Sequence, residues 1–307
     1  MYDLVIIGGG PAGASAGVYA ARKQLKTILI TESFGGQSTE SLGIENWIGT
    51  VKIPGAEFGK ILEKHLRAYA GNFVAIEAGK RVLDITKQED GFNIKTSGGN
   101  FSAKTVLIAT GSTRRKLEIP GAKEFENKGL TYCASCDGPL FARQDVIVIG
   151  GGNAAFESAA QLLNYAKSVT LLNRSSKFKA DETTVKKVLS HPNMKAIKNA
   201  VPVEIKGDKF VSTVAYKDVQ TGEEKEILAS GVFVEIGLIP TTSFAEKLLK
   251  LNKIGQVPID SKTQRTEVAG VWAAGDSTDG LYHQNNIAAG DAVKALEDIY
   301  LFLHAGK

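Results

Sequence analysis

Cys133-Ala-Ser-Cys136-Asp137 is the segment best equipped for chemistry, because Cys133 and Cys136 are the only cysteines in the 307 residues. Two thiols three positions apart close a small ring easily, and either is activated where its surroundings favour the thiolate. The pattern reads as a redox disulfide. A zinc site would need a second ligand pair, and His65, His191, His283 and His304 show no ligand spacing. Two inert buried thiols are the other alternative. Asp137 either exchanges the proton released in thiol chemistry or caps the turn at Asp137-Gly138-Pro139.

Gly8-x-Gly10-x-x-Gly13 follows the apolar run Leu4-Val-Ile-Ile7 and opens a stretch of small residues. In such a turn the first glycine permits the bend, and the second lets backbone approach a pyrophosphate. The third allows a helix to pack closely on its strand, and the helix N-terminus faces the phosphates. Glu32 lies about 20 residues on, at the end of the next apolar run, where a carboxylate accepts from both ribose hydroxyls.

The pattern recurs as Gly150-x-Gly152-x-x-Ala155, with alanine still small enough for close packing. Here the next run ends Leu171-Leu-Asn173-Arg174-Ser175, without an acid. An acid there would repel a 2′-phosphate, whereas Arg174, helped by Lys179, pairs with one, so the second ligand tilts toward NADPH over NADH. A nicotinamide delivers electrons in pairs and a disulfide accepts two, so a flavin is the natural relay between them. The first site is therefore expected to hold FAD.

The elements around these motifs follow one grammar. Each fingerprint joins a β-branched strand to a small-residue helix and a further strand, Thr27–Thr31 or Ser168–Leu172, as in a doubly wound parallel sheet. The fold class is α/β, with two Rossmann-like dinucleotide-binding domains of the three-layer ββα kind, the second inserted into the first. Residues 1–114 and 243–307 form the FAD domain, closed by the strand of Gly270–Asp276 and a helix over Ile287 to about His304. Residues 115–242 form the NAD(P)H domain carrying the dithiol, with strands near 201–217 and 225–236. The crossings fall at Ser112–Gly121 and Gly237–Thr242.

Composition narrows the classes. Apolar residues at 43% and charged residues at 23% are ordinary for a globular chain and exclude disorder. A net charge of +4 is too small for a polybasic nucleic-acid arm or lipid-surface patch. Two cysteines exclude a secreted disulfide framework and suit a reducing cytosol, the expected location. Leu4–Ala21 is free of charge for the length of a membrane helix, but Gly8, Gly9, Gly10, Gly13, Gly17 and Pro11 within it argue for strand, turn and helix. Asp3 stands where a signal peptide needs positive charge.

Across essentially its whole length the chain resembles low-molecular-weight thioredoxin reductases. The matching stretches are Gly8–Gly13, Gly35-Gly36-Gln37, Glu45-Asn46-Trp-Ile-Gly49, Ala109-Thr110-Gly111, Cys133–Asp137, Gly150-Gly-Gly-Asn153, Gly275-Asp276 and Tyr282-His283-Gln284. From Cys136 onward it is also similar to the reductase half of the alkyl hydroperoxide reductase flavoprotein, a protein with an extra N-terminal dithiol domain for which these 307 residues are expected to leave no room. The resemblance implies FAD contacts from Gly8, Gly10, Pro11, Ala12, Gly13, Glu32, Gly36, Gln37, Asn46, Ala109, Thr110, Gly111, Gly275, Asp276, Gln284 and Asn285. His283 stands either near the flavin or simply in a loop. Contacts with NADPH are implied at Gly150, Gly152, Asn153 and Ala154, beside Arg174 and Lys179. The resemblance further implies that Cys136 faces the flavin, that Cys133 attacks the partner disulfide with Asp137 as acid and base, and that the enzyme is a homodimer.

Two departures stand out. NADPH-binding members of that family show His-Arg-Arg and a further Arg where this chain has Asn173-Arg174-Ser175 and Lys179, which keeps NADH open. The family's Arg-Gln-Ala is here His283-Gln284-Asn285.

The implied reaction carries hydride from NADPH to FAD and electrons on to Cys133–Cys136 and then to a thioredoxin-like protein. Dithiol and second fingerprint share one inserted domain, yet both must reach one flavin while Cys133 must also meet a protein. A rotation of residues ~115–242 about the crossings is therefore expected to gate turnover. The alternatives are an NAD(P)H-dependent reductase of a peroxiredoxin-linked or other redoxin, and, from a different class, a redox-sensing nucleotide-binding protein without turnover. No nucleic-acid or membrane partner is expected.

Overall fold

A computed structural model describes residues 1–41 and 43–304. In chain order the strands and helices are β1 (Tyr2–Gly9), α1 (Pro11–Arg22), β2 (Thr27–Phe34), α2 (Gly55–Ala70), β3 (Val74–Ala78), β4 (Val82–Gln88), β5 (Gly91–Thr96), β6 (Gly99–Ile108) and β7 (Ser112–Arg114). Next come β8 (Leu130–Thr131), α3 (Ala134–Asp137), β9 (Asp145–Ile149), α4 (Asn153–Leu162), β10 (Ser168–Asn173), α5 (Glu182–Leu189) and β11 (Met194–Lys198). The chain continues through β12 (Ala200–Gly207), β13 (Val211–Asp218), β14 (Glu224–Leu228), β15 (Gly231–Val234) and β16 (Leu238–Pro240), and closes with β17 (Val271–Ala273) and α6 (Asn285–His304). It divides into two compact units, residues 1–113 with 239–307 and residues 114–238.

In the first unit a seven-stranded sheet runs β3-β2-β1-β6-β5-β4, with β17 also on β6. β3, β2, β1, β6 and β17 are parallel, whereas β4 and β5 are antiparallel neighbours. β6 serves both: Gly99–Ala103 pairs β5, and Val106–Ile108 pairs β17. The period-2 alternation of a strand sorts its side chains to two cores. Leu4, Ile6, Leu29 and Leu107 face α1 and α6, burying Ala16, Ala292 and Leu296. Val5, Ile7, Ile28 and Ile108 face the opposite layer, with Phe92, Ile94 and Leu249. The buried Trp272 on β17 donates its ring N–H to Asp298 at 2.8 Å, so the polar edge of a large apolar side chain is satisfied.

The second unit repeats the plan with a parallel sheet, β11-β10-β9-β15-β8, and a three-stranded antiparallel sheet, β12-β13-β14. Val146, Val148 and Leu171 pack under α4 on Phe156, Ala159 and Leu162. Ile147, Ile149 and Leu172 pack on the antiparallel layer through Ile205, Val211 and Val214. The two strands expected near 201–217 and 225–236 are four, because the chain reverses between Gly207 and Val211 and crosses to the parallel sheet after Leu228. The crossing strands β7 and β16 pair as a two-stranded ribbon.

Candidate active site

The first fingerprint is a turn that only glycine fits at its ends. Gly8 has φ +117°, and a Cβ there would stand 2.2 Å from the Ala109 carbonyl oxygen. A Cβ at Gly13 would stand 1.9 Å from the Gly8 carbonyl oxygen, so α1 can leave β1 this closely only without one. Pro11 and Ala12 form the first turn of α1, where the missing proline N–H costs no helical hydrogen bond. At Gly10, by contrast, an added Cβ would meet nothing within 4 Å, and one added at Gly36 would stand 3.6 Å from the Gly10 Cα. This is a cradle suited to a pyrophosphate, next to a helix of twelve residues.

Around the cradle, residues far apart in sequence converge. Gln37 donates to the Ser112 carbonyl. Ser38 Oγ donates to Asn285 Oδ1 at 2.8 Å, Asn46 Nδ2 to Gln284 Oε1 at 2.9 Å, and Asn286 Nδ2 to the Asn46 carbonyl at 2.7 Å. Thr110 Oγ1 donates to the Thr241 carbonyl at 2.6 Å, and Gly111 accepts from Thr241 N–H. Gly275 lies against Ala12 and Ala288, and His283 Nδ1 stands 3.5 Å from Asp276 Oδ1. Among the described residues the buried Ser112 hydroxyl has no hydrogen-bond partner. An open glycine turn, a ring of amides and an orphaned hydroxyl together fit a dinucleotide of the FAD type. Glu32 lies on β2, and both its oxygens accept from Arg81, at 2.9 and 2.8 Å. Sequence reading missed Arg81, Ser38 and Asn286; only pairing across 49 or more positions reveals them.

The second fingerprint has the same geometry with one relaxation. Gly150 has φ +151°, and a Cβ there would stand 2.3 Å from the Glu235 carbonyl oxygen, while Gly152 faces open space. Asn153 and Ala154 begin α4, and Asn153 Oδ1 accepts from Asp181 N–H at 2.8 Å. At the end of β10 Asn173 is buried, and its amide is spent on the Ser175 and Lys177 carbonyls at 2.7 and 3.0 Å. Arg174 and Lys179 are exposed beyond it, and Lys179 N–H donates to the Gly151 carbonyl at 2.7 Å. Glu235, which sequence reading passed over, follows β15 beside Gly150 and accepts from Ser158 Oγ at 2.7 Å. Burial pushes its carboxyl above the usual range, against the Ser158 hydrogen bond and the Arg114 charge. Its signal was an acid directly after the apolar run Gly231–Val234.

In the same unit Cys133 and Cys136 are joined in a disulfide, both half-buried. Cys133 caps α3, its sulfur accepting from Cys136 N–H at 3.2 Å. Asp137 caps nothing: it precedes the turn Gly138–Phe141 without a side-chain hydrogen bond to it. Its carboxylate instead accepts from the Thr131 hydroxyl. Burial raises the Asp137 pKa above the ordinary carboxylate value, opposed by the Thr131 hydrogen bond and the Arg114 charge.

Two dinucleotide folds and a disulfide on one chain define a disulfide oxidoreductase. The sequence profile of the pyridine nucleotide-disulphide oxidoreductases matches residues 2–292, and the chain belongs to that family of flavin-dependent enzymes. It is 41% identical to an NADH dehydrogenase of Bacillus subtilis over 96% of its length, and 39% identical to an alkyl hydroperoxide reductase component of Pseudomonas putida. It spans 57% and 56% of those two proteins, little more than half. Among solved structures it is similar to the thioredoxin reductases of Streptococcus pyogenes (TM-score 0.89, 33% identity, 99% of each chain) and Giardia duodenalis (TM-score 0.92, 33% identity, 98% of each chain).

Proposed function

We propose that the chain is a thioredoxin-disulfide reductase that consumes NADPH in preference to NADH and passes electrons through Cys133–Cys136 to a thioredoxin-like protein. The observation that carries this reading is the Cys133–Cys136 disulfide in the unit that also holds the second fingerprint. FAD, held by the first fingerprint with Glu32, Gln37, Asn46, Asp276 and the Gln284–Asn285 segment, supplies two-electron chemistry between a nicotinamide and a disulfide. Arg81 orients the Glu32 carboxylate, whose remaining lone pairs accept from a ribose. Gly150, Gly152, Asn153 and Ala154 cradle the pyridine nucleotide, and Arg174 with Lys179 pairs its 2′-phosphate.

In the exchange half, reduced Cys133 attacks the redoxin disulfide and Cys136 then displaces the redoxin from Cys133. Asp137 carries protons between these thiols and the leaving thiolates. The raised Asp137 pKa supports this role, because a group that holds its proton nearer neutrality exchanges it more readily. The crossings at 112–118 and 238–242 act as pivots for the insert, and a cross-link between the units that left turnover unchanged would contradict this.

A homodimer is part of the reading. It is supported by an apolar groove of about 310 Å³ in the first unit, lined by Val18, Tyr19, Trp47, Leu62 and Val293, beside the exposed Ile48 and Val51. Among the described residues no helix is long and apolar enough to cross a membrane, and a cycling dithiol suits the cytosol.

A second reading, reduction of a peroxiredoxin-linked redoxin, is favoured by the similarity to the alkyl hydroperoxide reductase component. Steady-state NADPH consumption with thioredoxin and a chromogenic disulfide tests the proposal. Continuous turnover supports it, whereas consumption that stops after one equivalent indicates a sensor.

A further inference from the structure

Thr131 ends β8 beside the dithiol, and its buried hydroxyl has two partners. It accepts from Cys133 N–H at 3.3 Å and donates to Asp137 Oδ2. A threonine hydroxyl owns one proton, so with its lone pair facing an amide, that proton goes to Oδ2. Oδ2 is then an acceptor whether Asp137 is charged or neutral, and only Oδ1 is left to hold a proton.

We propose that Thr131 is a positioning residue for thiol–disulfide exchange: it reserves Oδ2 of Asp137 as an acceptor and so fixes Oδ1 as the oxygen that gives and receives the exchange proton. This rests on the reading of Asp137 as the proton carrier.

Arg114 supplies the positive charge, and Asp137 directly follows Cys136 in the short helix that Cys133 caps. The Tyr165 hydroxyl packs against Gly138, and Gln161 of α4 accepts from Ser135 at 3.0 Å. In the exchange, the Cys133 thiol gives its proton to Oδ1 as its sulfur bonds to a redoxin sulfur and the redoxin S–S bond breaks. The leaving redoxin thiolate takes that proton. Cys136 then re-forms the Cys133–Cys136 bond, and its proton passes by the same oxygen to the second redoxin thiolate. The enzyme dithiol is oxidised and the redoxin disulfide reduced.

The test compares Thr131→Val and Thr131→Ala, which lack the donor, with Thr131→Ser, which keeps it, each as the flavin-loaded enzyme. Two readouts are followed against pH: redoxin turnover, and iodoacetamide alkylation of Cys133 in dithiothreitol-reduced protein. Loss of a hydrogen bond to a charged carboxylate raises its proton affinity about tenfold, so the Asp137-dependent limb moves up by about one pH unit. Thr131→Ser is expected to keep the wild-type profile. Profiles of Thr131→Val and Thr131→Ala that superimpose on wild type overturn the proposal, as does a Thr131→Ser profile equal to theirs. Asp137→Asn separates the two levels. Slow turnover in Asp137→Asn with normal Thr131 variants leaves the proton-carrier reading standing and removes Thr131's role; wild-type turnover in Asp137→Asn removes both.

Discussion

The two glycine turns share a grammar and differ at two points, and those points divide their chemistry. At the third small position the first turn has room for no side chain, since a Cβ at Gly13 would lie within the Gly8 carbonyl's contact distance. The second holds Ala155, buried without displacement of its neighbours. At the end of the following strand the first presents Glu32, held outward by Arg81. The second turns Asn173 inward onto its own loop and leaves Arg174 and Lys179 to face solvent. A carboxylate at that place accepts from ribose hydroxyls, and a cation there donates to a phosphate. On the proposed reading, ligand class is set by the charge at the end of that strand, on a backbone common to both.

The sharpest break of that comparison lies between the turns and the dithiol they serve. Cys133→Ser and Cys136→Ser are each expected to lower redoxin turnover by on the order of a thousandfold or more, read by NADPH consumption, while flavin absorbance is retained. Next comes the nucleotide preference. Arg174→Glu puts an acid where the second turn lacks one, on an exposed side chain, and is expected to raise the KM for NADPH about 10- to 100-fold with NADH little changed.

The packing difference predicts a smaller, opposite pair. Gly13→Ala overpacks the first turn and costs about 1–3 kcal/mol with loss of bound flavin, measured by thermal melts and absorbance. Ala155→Gly leaves the second turn intact at about 1 kcal/mol of helix propensity, with nucleotide affinity preserved.

Smallest is the pH effect at Glu235. Burial raises its folded-state pKa, so its contribution to stability is fully present below the unfolded carboxylate pKa and is lost as pH rises through the raised value. Glu235→Gln, which cannot ionise, is expected to flatten the fall of melting temperature with pH. An unchanged slope would contradict the burial argument.

Much of this was legible because it is local. Continuous apolar runs such as Leu4–Ile7 and Val146–Ile149 marked the central strands, and the glycine spacing marked both turns, since strand, turn and helix there follow one another within a few residues. What stayed hidden depends on pairing at a distance. Arg81 reaches Glu32 across 49 positions, and Asn46 meets Gln284 across 238, neither with a periodic signature. The reversal between β12 and β13, at Asp208-Lys-Phe210, is announced only by Gly207, where a Cβ would stand 2.0 Å from the Phe210 carbonyl oxygen, so two strands read as one. Asp137 offered two roles on sequence; its side chain makes no cap to the following turn, and the burial that raises its pKa, which supports the proton carrier, has no sequence signature.

The most direct test is an anaerobic titration of the purified protein with NADPH, following flavin absorbance and free thiols together, then adding oxidised thioredoxin. The account predicts a yellow protein that bleaches, exposes the thiols of Cys133 and Cys136, and regains its colour and its disulfide when the redoxin is added. A colourless protein, or one that bleaches while both cysteines stay joined, would contradict it.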